Sequence, residues 1–369
     1  MNKKLLIYIA TALLAACSSD TTVDSVEKYV PQPIRLGTAM QVTTRSNSQS
    51  LQATELAHQA TVGVFIYQNT TTTSATTSYG YKNIEYQAQN PDPAVSGVTP
   101  GDLTLVTSSD QPYFPEDKSK TLDIYAFSPR TGVYTTTTAE LSTLTAQDVF
   151  STKSDQTSDA NYLASDFVWG KKAGVTFTQA SSTTSRIEIP LEHMLSKVNV
   201  NIAPGTGMEG SSTDKLSKLH GVKVTLNKVK LDGTVNFTTG AVTVRADNAG
   251  TSYTNTPTGV VLTSATDKTK KTTFTDGGTP ATTYDACTCS AIIIPQTLAK
   301  GTDSDPFLEI SIPNGTSTPS IYKVLLTSDI TLDAKKVYTF NIIVNAQSLS
   351  LTTTITDWAA GTTVTGTAE

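Results

Sequence analysis

Few residues in this 369-residue sequence have the types and spacing that catalysis or ligand binding requires. The segment Gly205-Thr206-Gly207-Met208-Glu209-Gly210 matches the G-x-G-x-x-G pattern of dinucleotide-binding loops, with Asp232 at a suitable distance for a ribose contact. Such a site also needs a strand, a full helix and a parallel strand. Between Gly210 and the next predicted strand at Val222 there is room only for a turn or two, so we interpret the segment as a loop.

The metal-ligand residue types are scattered. His193 and His220 share no ligand spacing with Cys287 or Cys289, and His58 is isolated, so the sequence predicts no zinc site. We interpret His193 as a packed or capping residue. In an extended strand the two cysteines lie on one face with α-carbons about 7 Å apart, the outer limit for a disulfide. They are free thiols, or they pair if the segment turns.

Acidic residues give no better site. Asp303 and Asp305 could begin a calcium loop, but the glycine and the distal glutamate of an EF-hand are absent. The sequence also lacks a nucleophile elbow and a defensible carboxylate pair. We therefore predict a protein that is not an enzyme, with no catalytic, cofactor-binding or metal-binding residues.

The N-terminus predicts export. Lys3 and Lys4 precede an apolar run from Leu5 to Leu14, and small residues lead to Cys17, as in the lipobox of bacterial lipoproteins. We predict a signal peptide at 1–16, too short to be a membrane anchor, and attachment of diacylglycerol to Cys17. The alternative is an ordinary signal peptide with a cysteine there by chance.

Composition indicates an all-β protein. Threonine is abundant in short runs separated by glycine, proline and asparagine, as in sandwiches and barrels, and only 16% of residues are charged. The net charge of −5 provides no basic surface for nucleic acid. With three cysteines, one of them the predicted lipid site, disulfides are not the framework. The length favours two domains.

The C-terminal end contains two runs with the period-2 alternation of half-buried strands. The first places Tyr338, Phe340, Ile342 and Val344 on one face. The second, which places Leu349, Leu351, Thr353 and Ile355 on one face and small polar residues on the other, resembles a detachable strand. We predict that this tail belongs in another subunit, although its last strand could instead pair within its own domain.

A matching pattern occurs near the N-terminus. Alternation from Ile34 through Leu36, Thr38, Met40 and Val42 predicts a strand that ends at Thr43-Thr44-Arg45-Ser46. Its apolar, apolar, threonine, apolar order repeats that of the tail at the same spacing. Two strands with matching faces could fill one groove in turn, or the match is a coincidence because threonine is abundant.

Several further strands are predicted, with a domain boundary near residue 185. Val222–Val229 and Val235–Val244 are predicted as consecutive strands around an Asp232-Gly233 turn. The remaining predicted strands are 61–67, 122–127, 197–202, 291–295, and 307–312 paired with 321–326.

A series of segments resembles, in order, those of the fimbrillins of the Bacteroidetes, the FimA/Mfa-like pilins of type V pili. They are the lipobox; the early strand ending in Thr-Arg; Gly63-Val64-Phe65-Ile66-Tyr67 with Ile124-Tyr125-Ala126-Phe127-Ser128-Pro129; Leu191-Glu192-His193-Met194-Leu195-Ser196-Lys197-Val198; Ile292-Ile293-Ile294-Pro295-Gln296-Thr297; Lys336-Val337-Tyr338-Thr339-Phe340; and Ile355-Thr356-Asp357-Trp358. The resemblance covers nearly the whole chain.

The resemblance implies two tandem transthyretin-like β-sandwich domains and assembly by strand exchange. It implies that an Arg-specific, trypsin-like protease cuts Arg45–Ser46, removes the strand Ile34 to Val42 and opens a groove for a neighbour's strand, Leu349 to Ile355 with Trp358. Arg35–Leu36 is a poorer cleavage site because it lies within the strand. The implied segments are the signal peptide 1–16, a tether and removable strand at 17–45, domains at 46–185 and 186–345, and a donor tail at 346–369.

The implied partners are other fimbrillin subunits of the homopolymer, tip and anchor, the protease, and the outer membrane during export to an adhesive surface fimbrium. A tip or anchor subunit that does not polymerise is an alternative. A surface glycan-binding lipoprotein is another, because Trp169 with Tyr162 and Phe167, or tyrosines 79, 81 and 86, could stack on sugars.

Overall fold

The protein is described here from a computed structural model that covers residues 30–40, 56–69, 77–90, 99–130, 141, 148–177, 186–211, 213–247, 253–263, 271–276, 278–315, 317–346, 349–357 and 363–367. Within these residues the regular structure is almost entirely β, which confirms the predicted all-β class. The helical elements there are α1 (Asp159–Ala164) and the 3-10 turns Ser108–Asp110 and Ser217–Leu219, and Leu141 and Phe177 also have 3-10 conformation.

Seven strands of the first half close into a barrel. They are β1 (Leu36–Met40), β2 (Thr61–Asn69), β3 (Thr77–Gln89), β4 (Asp102–Leu105), β5 (Thr121–Ser128), and, after β6 (Asp148–Ser151) and α1, β7 (Val168–Val175) and β8 (Ile187–His193). Their order around the barrel is β1-β4-β3-β2-β5-β7-β8. All neighbours are antiparallel except β1 and β8, which are parallel, so the first strand closes the barrel between β4 and β8.

The continuous apolar runs of β2 and β5 arise because both faces of these strands are buried. Val64 and Ile124 point into the barrel, whereas Phe65 and Tyr125 point outward into an aromatic cluster shared with the second half of the chain. A strand covered on both sides has no polar face and therefore reads as an unbroken hydrophobic segment.

The second half of the chain builds two larger sheets. A six-stranded sheet has the order β14-β15-β9-β22-β23-β24, and a four-stranded sheet has the order β13-β10-β19-β20. The strands are β9 (Ser196–Pro204), β10 (Lys223–Val229), β11 (Asp232–Val235), β12 (Val242–Val244), β13 (Thr258–Val261), β14 (Lys271–Thr275), β15 (Thr283–Ile293), β16 (Gln296–Leu298), β17 (Gly301–Thr302), β18 (Asp305–Pro306), β19 (Leu308–Ile312), β20 (Ser320–Val324), β21 (Ile330–Leu332), β22 (Lys336–Val344), β23 (Leu349–Asp357) and β24 (Thr363–Thr367).

The two larger sheets enclose one core, and together they are called the sandwich. Val200 of β9 and Phe340 of β22 meet Leu226 of β10 and Ile310 of β19 in it, all of them fully buried. The alternation predicted for β22 is confirmed, because Tyr338, Phe340, Ile342 and Val344 are at most 1% exposed. The predicted pairing of 307–312 with 321–326 corresponds to the β19–β20 hairpin.

Two features of the chain differ from the sequence expectations. Asp232-Gly233 does not form a turn: both residues lie in β11, which pairs with β6 and β12, and the hairpin turn follows at Asn236–Gly240. The chain leaves the barrel between His193 and Ser196, because β8, which ends at His193, still pairs with β7 and β1 of the barrel. The strand β8 therefore lies beyond the boundary predicted near residue 185 but in the first barrel.

The barrel and the sandwich are joined by buried contacts as well as by the chain. β6 pairs with β11 of the second half over four residues. Gln156, which is fully buried, accepts a hydrogen bond from the Ile292 N–H and donates one to the Ile292 carbonyl, both at 2.9 Å. The Trp169 indole donates to the Phe237 carbonyl at 2.8 Å. A buried polar pairing of this kind fixes how the two halves face each other.

Candidate functional site

The histidines and acidic residues do not assemble a metal centre in the described part of the chain, where no group of three or more His, Cys, Asp or Glu could hold an ion. His193 Nδ1 lies 2.7 Å from an Asp166 oxygen and is buried between strands, as expected for a packed residue. His220 lies 3.3 Å from Asp214 at the surface. These pairs are local structural contacts.

Cys287 and Cys289 form no disulfide and lie on β15 with both side chains in the core. The Cys287 thiol donates to the Ile202 carbonyl at 3.5 Å, and burial raises the pKa of Cys287 to about 12. A buried thiol that stays protonated is a poor nucleophile. Of the two sequence alternatives, the structure has two thiols without a disulfide.

The glycine-rich segment is a tight loop between β9 and β10. Met208 N–H donates to the Gly205 carbonyl at 2.9 Å, and the loop leads to the 3-10 turn Ser217–Leu219 rather than to a helix. β10 then pairs antiparallel with both β13 and β19. The strand, helix and parallel strand that a dinucleotide site requires do not occur at this segment.

The Asp303 and Asp305 segment forms the tip of the β17–β18 hairpin. Lys228 Nζ lies 2.9 Å from the Asp305 carboxylate, and Lys323 Nζ donates to the Asp303 carbonyl at 2.6 Å. Two ammonium groups therefore already contact oxygens of this segment.

The aromatic residues considered for sugar stacking are mostly internal. Tyr162 and Phe167 are 3% and 0% exposed, and the half-buried Trp169 packs on Tyr125 with its N–H already bonded to Phe237. Tyr86 is 2% exposed, inside the barrel, and the side chain of Tyr79 lies outside the described set. Faces that are packed against protein cannot stack on a sugar.

The first strand is the most complete site that the sequence predicted. Ile34, Leu36, Thr38 and Met40 all point into the barrel and are between 0% and 8% exposed. The alternation read from the sequence is therefore confirmed over these residues. Val42 lies outside the described residues.

The strand is held unequally by its two neighbours. β1 pairs with β8 at five consecutive positions, from Leu36 opposite Ile187 to Met40 opposite Leu191. With β4 it pairs at one position, Gly37 opposite Asp102. Before Leu36 the chain leaves β4, since the Ile34 N–H donates to the Pro112 carbonyl at 2.8 Å.

The divergence of β1 and β4 leaves a cleft of about 820 Å³ along their seam. Leu36 and Leu103 line it together with Arg186 and Tyr86. The Tyr86 hydroxyl is buried and has no hydrogen-bond partner in the described structure, and burial raises its pKa. The seam with β4 is thus the less completely bonded side of the first strand.

Arg186 crosses the outer face of the first strand. Its guanidinium donates to Asp102 at 2.6 Å and to the Pro100 carbonyl at 2.9 Å on the β4 side, and to Glu188 at 3.0 Å on the β8 side. The side chain lies over Gly37, where a Cβ would be 2.6 Å from Arg186 Cδ. Sequence reasoning missed this contact; the signal available was a glycine at an outward position of an alternating strand.

The tail strand is paired within its own subunit in this structure. β23 pairs antiparallel with β22 at nine positions and with β24 at five. Leu349, Leu351 and Ile355 are only partly buried against the sandwich core, whereas Thr353 is 9% exposed. The shared face predicted for these residues is confirmed, and the transfer of the strand to another subunit stays a prediction.

The predicted lipidation and cleavage residues Cys17, Arg45 and Ser46, and the donor-strand residue Trp358, lie outside the described residues. In the part of the chain that is described, no helix has the length and apolar character needed to cross a membrane.

Comparison with known proteins places the chain in a family. A model described as fimbrillin-like matches residues 44–358, and no curated protein matches the sequence. The fold is similar to a candidate cell adhesion protein from Bacteroides ovatus, with a TM-score of 0.58, 16% identity and coverage of 89% of this chain and 99% of that one. A second candidate cell adhesion protein, from Bacteroides uniformis, has a TM-score of 0.53, 17% identity and coverage of 88% and 99%.

At these identities the solved structures show a shared fold. The family match covers most of the chain and supports a fimbrial, cell-surface role beside other fimbrial subunits, rather than catalysis. The chain belongs to the fimbrillin-like family.

Proposed function

We propose that this protein is a structural fimbrial subunit that polymerises by strand exchange to form adhesive fimbriae. In this proposal a protease removes the first strand, and the tail strand β23 of the next subunit takes its place between β4 and β8. The observation that carries the proposal is that a short N-terminal strand closes the barrel with an inward face that the tail repeats in order and spacing.

Loss of the first strand would leave an open groove that another strand could fill. The backbone edges of β4 and β8 would lose their partner, and an unpaired edge readily takes up another strand. The positions of Ile34, Leu36 and Met40 would open to water. Filling three such positions at ~1.5–3 kcal/mol each would return roughly 5–9 kcal/mol before the cost of ordering the tail.

The tail gains burial by moving. In their own subunit the side chains are only partly buried for Leu349, Leu351 and Ile355. The positions they would occupy in the barrel are between 1% and 8% exposed. Thr353 would meet the position of Thr38, which is also buried. When β23 leaves its own sheet it loses the nine-position ladder with β22, so strand exchange is favourable only when the groove is empty. Proteolysis therefore commits the subunit to assembly.

We assign the cut to Arg45–Ser46 by an Arg-specific, trypsin-like protease. The competing site, Arg35–Leu36, lies where the chain is bonded to β8 through the Ile187 N–H and the Arg35 carbonyl at 2.9 Å. A protease needs an extended, unpaired segment in its cleft, so a residue inside a sheet is a poor substrate. The described strand β1 ends at Met40, five positions before Arg45 in the sequence.

Export completes the proposal. Residues 1–16 act as a signal peptide, and Cys17 carries the lipid that holds the precursor at the outer membrane until cleavage releases the subunit from its tether. The cut at Arg45 therefore removes the lipid and the first strand together.

The test is the N-terminal residue and intact mass of the protein from cells, together with trypsin treatment of the purified full-length chain. We expect a mature N-terminus at Ser46, followed by a ladder of multimers that resists SDS. Arg45→Ala is expected to keep the long N-terminus and to stay monomeric. Arg35→Ala is the matched control and should assemble normally.

A chain from cells that begins at lipidated Cys17 and stays monomeric after protease treatment would contradict the proposal. It would indicate an anchor subunit or another surface lipoprotein, with β23 as an ordinary strand of its own sheet.

A further inference from the structure

Arg186 is the side chain that bridges both walls of the groove over the first strand. It begins on the β8 side, one residue before that strand, and reaches Asp102 and the Pro100 carbonyl on the β4 side. Its second terminal nitrogen donates to Glu188 at 3.0 Å. The planar guanidinium can hold two such partners in fixed directions, which a lysine cannot.

The strand beneath this side chain is adapted to it. Outward positions of β1 are otherwise open, since Arg35 is exposed and Ala39 is half-buried, yet Gly37 between them is buried. A Cβ at Gly37 would lie 2.6 Å from Arg186 Cδ and 2.7 Å from Nε. The absence of a side chain at Gly37 is therefore what lets Arg186 lie flat across the strand.

The tail strand does not share this adaptation. When Leu349, Leu351, Thr353 and Ile355 are placed on Ile34, Leu36, Thr38 and Met40, the residue at the position of Gly37 is Thr352. Threonine has a branched Cβ and would meet the Arg186 side chain. The contact is with the flexible part of an arginine, so the side chain can swing away, but it must then leave Asp102.

We propose that Arg186 is a strap that holds the subunit's own first strand in the groove and resists entry of a strand with a side chain at the position of Gly37. Arg186 and Gly37 thereby make the groove specific for the resident strand before processing, and the strap opens when a neighbour's tail enters. This inference rests on the proposed strand exchange for its second half only, because retention of the resident strand concerns the uncut chain.

Retention is tested on the uncut full-length chain by hydrogen exchange of the segment 34–40. Gly37→Ala is expected to speed exchange about fivefold when Arg186 is present, the order of effect of one lost surface ion pair. In the Arg186→Ala background the same substitution should not speed hydrogen exchange, because alanine suits a strand better than glycine. Equal effects of Gly37→Ala in the two backgrounds would overturn the strap.

Resistance to entry is tested on the protease-treated chain by the rate of ladder formation. Thr352→Gly should assemble about fivefold faster than Thr354→Gly on a groove that contains Arg186. Thr354 is the matched control because it falls at Ala39, where a Cβ is already present in the resident strand. On an Arg186→Ala groove the two variants should assemble at the same rate.

Equal rates for Thr352→Gly and Thr354→Gly on the Arg186 groove would overturn the entry half of the inference. If the processed wild-type chain forms no ladder at all, the strand-exchange proposal fails, and the hydrogen-exchange cycle on the uncut chain decides whether Arg186 retains the first strand.

Discussion

Truncation of the matching leucines in the two strands is expected to have opposite effects on the precursor and on the fimbrium. Leu36 is 3% exposed in the barrel core, so Leu36→Ala removes a buried side chain and leaves a cavity. Such a change costs about 2–5 kcal/mol. Leu351 is only partly buried in its home sheet, so Leu351→Ala is expected to cost the uncut chain about half as much.

After processing the order reverses. The mature subunit has lost Leu36, so Leu36→Ala should leave the joint between subunits unchanged. Leu351 would then fill the position of Leu36, and its truncation should weaken the joint by about 2–5 kcal/mol. A loss of ~3 kcal/mol corresponds to a joint that dissociates roughly a hundredfold faster.

The assay pairs two measurements on each variant. Urea unfolding of the uncut chain reports the free energy of unfolding, and the rate at which ladders dissociate in hot SDS reports the joint. If Leu351→Ala lowers the stability of the uncut chain as much as Leu36→Ala and leaves ladder dissociation unchanged, the tail stays in its own sheet and the reasoning fails.

Three further outcomes follow from the buried polar groups. Gln156→Ala leaves the N–H and carbonyl of Ile292 unpaired in the joint between the two halves and should lower the free energy of unfolding by about 1–3 kcal/mol, measured by urea unfolding of the uncut chain. Burial lowers the pKa of Lys197 to about 8 from 10.5, so the unfolded chain binds more protons than the folded chain between those values. Stability relative to Lys197→Met should therefore rise with pH from about 8 to 10.5, as measured by unfolding across that range. Because Cys287 and Cys289 are buried and the pKa of Cys287 is raised to about 12, iodoacetamide at pH 8 should modify neither thiol until urea unfolds the chain. The labelled peptides are identified by mass because Cys17 is a third cysteine, and rapid labelling of Cys287 or Cys289 in the folded protein would contradict their burial.

Local patterns predicted a large part of the strand structure. The alternation of Tyr338, Phe340, Ile342 and Val344 identified one buried face, and the same rule identified the inward face of β1. The rule works because side chains on a strand alternate between its two sides whatever the strand packs against. The Asp232-Gly233 turn was wrong because pairing of β11 with β6, a strand about 80 residues earlier in the chain, outweighed the local turn preference.

The site residues, too, were only partly predicted from the sequence. The inward side chains of the first strand were identified from the sequence, but Arg186, Asp102 and Glu188 were not. They meet over Gly37 because β4 and β8 flank β1, and strands so far apart in the chain give no local sign of being neighbours. The burial of Tyr86, Tyr162 and Phe167 also needed the fold, because a buried aromatic and an exposed one look the same in a sequence.

By itself the sequence determined the all-β class, the faces of its strands and the repetition of one side-chain pattern at the two ends of the chain, since these depend on neighbours two residues apart. Tertiary structure decided that the first strand closes a barrel, that the tail pairs with β22 of its own subunit, and that an arginine lies across Gly37. The pairing of the tail with β22 joins strands that are neighbours in the chain, and it is the alternative that the sequence left open. Barrel closure and the Arg186 contact depend on residues 65 to 151 positions apart, whose geometry is set only when the chain has folded and all its strands have found their partners.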